Sequence, residues 1–72
     1  MSDHWADALK SANRAHGAAE DLVDRTFDLR ETIAQRDSAT ALRTVGRARA
    51  YATRLRRHLD NCEASMRDAA EG

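Results

Sequence analysis

Two pairs of side chains stand at metal-binding spacing. His16 and Glu20, like His58 and Cys62, are four residues apart, so each pair would share one face of a helix. Neither pair has the company a site needs. Cys62 falls at a core position of an apolar repeat, and His58 lies on the opposite flank from His16. No Glu-x-x-His repeat of the di-iron type is present. The expectation is therefore no metal and no cofactor, with surface histidines and a buried, inert cysteine. Asp21, Asp24 and Asp28 follow helical spacing and read as a solvated face. The chain has no glycine-rich phosphate loop and no nucleophile motif, so catalysis is not expected.

Arginine is the other candidate chemistry. From Ser38 to Leu59 there is no acid, while Arg43, Arg47, Arg49, Arg54, Arg56 and Arg57 appear. Six guanidiniums in so short a stretch would suit contact with a polyanion or a partner protein, with the salt sensitivity that phosphate contacts bring. Their spacing wraps them around a helix instead of gathering them in one stripe. Tyr51 is the lone stacking aromatic among them.

The elements that must position these groups follow from the apolar pattern. The chain has 72 residues, no proline, twelve basic and twelve acidic side chains, and a net charge of zero. One series runs Trp5, Ala8, Ala12, Ala15, Ala19, Leu22, Thr26, Leu29, Ile33, and a second Ala41, Val45, Ala48, Ala52, Leu55, Leu59, Cys62, Met66, Ala69. Alternating steps of three and four give a coiled-coil seam and not a strand. The pattern predicts one all-α domain over 1–72: a helix over about 3–35, a turn over about 36–38 and a helix over about 38–70. Ser2 or Asp3 would cap the first helix, and Asp37 or Ser38 the second.

The phase breaks at the polar stretch Gln35-Arg36-Asp37-Ser38, where no glycine offers the usual helix stop. Folding the chain there predicts an antiparallel hairpin. Large residues then meet small ones: Leu22 over Ala52, Ala19 over Leu55, Ala15 over Leu59, with Trp5 closing the open end over Ala69. Charge agrees with the turn. Residues 1–37 sum to −3 and residues 38–72 to +3. Asp28 is expected near Arg47, and Asp21 near Arg54.

Leu9, Val23, Phe27 and Leu42 lie beside this seam and are the expected oligomer or partner interface. Leu, Ile, Val and Phe together number only ten, and a core this small needs further burial. A homodimer, two hairpins making a four-helix bundle, is the expectation. The stretch Met1–Trp5 is acidic and lacks an apolar h-region, so no secretory signal is expected, and no run is long enough to span a membrane; with one cysteine, the expectation is a cytoplasmic protein without membrane partners. Eleven arginines against one lysine, with abundant alanine, point to a GC-rich bacterial or phage genome.

These observations favour a non-enzymatic regulatory module, a small adaptor or inhibitor of the kind phages and mobile elements encode, which acts by binding a partner protein. The alternative is nucleic-acid binding through the arginine-rich second helix. Small helical hairpins that dimerise and bind RNA, such as the plasmid copy-number regulator Rop, are similar in architecture. No sequence motif carries that comparison, and no family is assigned from it.

Overall fold

Asp3 starts the first helix. Its carboxylate accepts hydrogen bonds from the backbone N–H groups of Trp5 and Ala6 at 3.1 and 3.2 Å, satisfying donors that the helix itself leaves free. The computed structural model describes residues 3–71, and Ser2, the other candidate cap, lies outside them. Helix α1 spans His4–Ala34 and helix α2 spans Ser38–Glu71; the two pack antiparallel along their lengths. The rod they form is 53 Å long and 15 by 13 Å in cross-section, as straight helices of this size require.

The turn solves the missing-glycine problem with an arginine. Arg36 takes a left-handed backbone, φ 56°. Its N–H donates to the Ile33 carbonyl, and the Asp37 N–H donates to the Thr32 carbonyl, both at 3.0 Å. These two bonds form a Schellman closure, which is usually made around glycine because a Cβ is strained there. Asp37 then caps α2: its carboxylate accepts from the Thr40 N–H at 3.1 Å. Of the two expected caps, Asp37 does the work and Ser38 is the first helical residue.

The seam between the helices differs from the one expected. Ala8, Ala15, Leu22 and Leu29 do face α2, but the stripe beside them is His4, Ser11, Ala18, Arg25 and Thr32. The expected partner stripe is largely out in solvent, with Trp5 and Ile33 exposed and only Ala19 half-buried. On α2, Ala41, Val45, Ala48, Leu55, Cys62, Met66 and Ala69 hold their places, but Thr44, Tyr51, His58 and Ser65 join them. Ala52 and Leu59 are exposed, so the layers pairing Leu22 with Ala52 and Ala15 with Leu59 are corrected. Trp5 is 69% exposed and does not close the open end.

Each helix is thus rotated about 50° from the centre of its apolar stripe, half the angle that separates successive residues. Alanine, serine and threonine let the backbones approach, and Thr44 pays no penalty for burial because its hydroxyl donates to the Thr40 carbonyl at 2.9 Å. No large side chain is fully buried among the described residues; the core proper is Ala8, Ala15, Ala18 and Thr44.

Candidate functional site

The rotation sorts the surface into two opposed faces. Both helices turn in the same sense about their own N-to-C directions. Because they run antiparallel, both displaced stripes emerge on the same side of the hairpin. Among the described residues seven large apolar side chains stay exposed; by helical spacing Trp5, Leu9, Val23, Ile33, Leu42 and Leu59 fall on that side, and Phe27 stands at its edge, on the back of α1. The expected interface residues are among them, with Leu9 62%, Val23 65%, Phe27 58% and Leu42 73% exposed. Near the turn, Leu29, Ile33, Ala41, Leu42 and Val45 line an open apolar hollow of about 400 Å³.

The opposite face is cationic, and it is built around Tyr51. Arg54 of α2 and Arg25 of α1 place their guanidinium carbons 5.2 and 5.9 Å from the ring centroid. With Arg47 and Ala50 they line a hollow of about 280 Å³. A neighbouring hollow adds Arg14, Asp21 and His58. Stacked guanidinium–ring contacts of this kind contribute about 0.5–1 kcal/mol each when partly exposed. Arg25 also reaches Asp28 on its own helix at 3.4 Å, while its Nε is enclosed without a hydrogen-bond partner. That lone Nε is the cost of carrying an arginine into the seam.

The six arginines of α2 are therefore split three ways. Arg47 and Arg54 line the Tyr51 face. By helical spacing Arg49 and Arg56 flank the apolar face, and Arg43 and Arg57 project from the back of α2, both exposed. Arg43 donates to the Thr40 hydroxyl at 3.3 Å.

The expected acid–arginine pairs across the seam do not form. The ion pairs among the described residues are His16–Glu20 at 2.8 Å, Arg25–Asp28 and Glu63–Arg67, each within one helix. Asp21 and Arg54 share a hollow without pairing, and Asp28 turns to Arg25 and not to Arg47. Sequence reasoning missed Arg25 as a member of this site because it falls outside the apolar repeat, one residue before Thr26. The available signal was its position in the repeat His4, Ser11, Ala18, Arg25, Thr32, every seventh residue beside the alanines.

His16 is exposed and His58 half-buried, on different faces, as is consistent with their separate positions in the repeat. Among the described residues no three of His, Cys, Asp and Glu gather closely enough to hold a metal ion. No described helix is long and apolar enough to cross a membrane.

Fold and surface together define a two-faced helical hairpin, apolar on one side and arginine–tyrosine on the other. No protein family, curated protein or solved structure matches the chain.

Proposed function

We propose that this chain is a non-enzymatic interaction module that dimerises through its apolar face and presents the Tyr51 face to a partner protein with acidic side chains. The observation that carries the reading is the one-sided placement, by helical spacing, of six of the seven large apolar residues exposed among the described residues. In a lone hairpin the centre of each apolar stripe should point at the other helix. Here it points between α2 and the apolar face, the direction of the middle of a four-helix bundle, in which every helix has two neighbours. A face of 53 by 15 Å offers roughly 800 Å² per copy, the size of a standard stable interface. Pressing two such faces together leaves the Tyr51 surfaces outward, one on each side.

Sedimentation equilibrium at tens of micromolar tests the association, with a dimer expected and a strict monomer overturning it. The Tyr51 face is tested with a polyglutamate peptide in fluorescence anisotropy. Binding that Arg47→Glu plus Arg54→Glu abolishes is the supporting result.

The grouping of Arg14, Arg25, Arg47 and Arg54 around an aromatic ring favours one second reading, in which that face takes nucleic-acid phosphates. A salt-titrated mobility shift with generic RNA and duplex DNA separates the two. Retention at about 10 µM or below near physiological salt, lost in the same double variant, would put nucleic acid first.

A further inference from the structure

We infer that the second copy packs with its turn at the same end as the first, so that α1 of each chain lies along α2 of the other. The inference rests on the dimer proposed above and assigns its topology.

Two symmetric ways exist to press two hairpins together by the same face. A two-fold axis parallel to the helices keeps both turns at one end and sets α1 on α2 of the second copy. A two-fold axis across the helices puts the turns at opposite ends, setting α1 on α1 and α2 on α2. Neighbouring helices are antiparallel either way, so helix dipoles do not separate the two.

Charge does. The half of the chain holding α1 carries −3 and the half holding α2 carries +3, so like helices in contact bring like charges together. The flanks of the apolar face make the conflict specific. Glu20, exposed at the back edge of α1 and close to its midpoint, pairs among the described residues with His16 of its own helix. Arg56 is exposed near the midpoint of α2. With turns at opposite ends and the helices fully overlapped, the two-fold axis passes those midpoints. Glu20 then comes level with Glu20 of the second copy, and Arg56 with Arg56.

With the turns at one end, each residue keeps across the interface the level it has across its own seam. Asp21 and Arg54 share a hollow within one hairpin, so Glu20 comes level with the segment Arg54–Arg56 of the second copy. Both repulsions become attractions, twice over by symmetry. Shape points the same way. Leu29 and Val45 share the hollow near the turn, which puts Phe27 level with Gly46 and Arg47 of the second copy. Gly46 is exposed and a Cβ built on it meets nothing within 4 Å, so no atom of its own chain stands there against the Phe27 ring.

The test uses the full chain with Cys62→Ser and Gln35→Cys, spin-labelled at position 35. Sedimentation of this sample comes first, and a monomer overturns the dimer itself. In a dimer, dipolar spectroscopy should give a distance below roughly 25 Å, since packed helix axes lie 8–10 Å apart. A distance near the 53 Å length of the rod overturns the shared-end topology while leaving the dimer intact.

Because Cys62 is half-buried, a second measurement leaves it in place. Glu20→Arg and Arg56→Glu should each weaken the dimer by roughly tenfold, and the double variant should recover to within about threefold. Single variants without effect, or losses that add in the double, overturn the assignment.

Discussion

The guanidinium carbon of Arg25 lies 5.9 Å from the centroid of the Tyr51 ring, so a cation of α1 and an aromatic of α2 meet across the helix seam. It is a side-chain contact between the helices, whereas the ion pairs among the described residues all run along single helices. Tyr51 is also half-buried, which makes it the bulkiest side chain in the central seam. Tyr51→Ala should therefore lower stability by about 1–2 kcal/mol, adding lost area to two lost ring contacts. Tyr51→Phe keeps the ring and should melt within about 2 °C of the parent in circular dichroism. A large loss in the phenylalanine variant would mean that the hydroxyl, and not the ring, holds the helices.

Arg36 is a residue in a glycine's position. Its N–H is needed for the closure to Ile33, but its side chain gains nothing from a φ of 56°. Arg36→Gly should stabilise the hairpin by about 1 kcal/mol, raising the melting midpoint by roughly 4–8 °C. Arg36→Pro forbids that φ and removes the donor, and it should open the turn. Unchanged melting in the glycine variant would place the turn in another backbone conformation.

Asp37 links the turn to pH. Hydrogen bonding from Thr40, its hydroxyl first and then its backbone N–H, holds the carboxyl below the ordinary aspartate range; Arg43 adds to this and burial opposes it. A pKa lowered on folding means that the ionised form stabilises the fold. That contribution is complete above the unfolded-state value and is lost as pH falls through the folded one. Asp37→Asn keeps a capping oxygen without the charge. Melting of the parent relative to Asp37→Asn should hold its margin from about pH 7 to 5 and lose it towards about pH 2. A margin constant across that range would remove the charge from the account.

Adjacent residues should separate folding from association. Leu22 is half-buried against α2, while Val23 is exposed on the apolar face. Leu22→Asp places an unpaired charge in a central layer and should abolish helicity at 25 °C. Val23→Asp should keep the helical spectrum at high protein concentration while weakening the dimer at least tenfold by sedimentation. Equal effects from the two substitutions would mean that the hairpin does not fold apart from its dimer.

Much of the architecture was legible because it depends on local chemistry. Apolar spacing of three and four specifies helices, Asp3 and Asp37 have the side chains that cap them, and a polar tetrapeptide with a phase break specifies the turn. Half of the seam was legible too, since Ala8, Ala15, Leu22, Leu29 and the stripe from Ala41 to Ala69 lie where the repeat puts them. The Tyr51 site was not. Arg25 and Tyr51 have unremarkable sequence surroundings, and their meeting requires both the turn and the rotation of each helix.

The sequence by itself determined two helices, their caps and the place where the chain turns back, because hydrogen bonding and periodicity act over a few residues. It also set the opposite charges of the two halves. Only the tertiary structure decided which flank of each apolar stripe faces the other helix. That choice depends on packing along both helices at once, and it carries Ser11, Ala18 and Thr44 into the seam together with the bulkier Arg25, Tyr51 and His58. The large aliphatics are left on a common outer face, and the arginines on the opposite one are gathered around Tyr51.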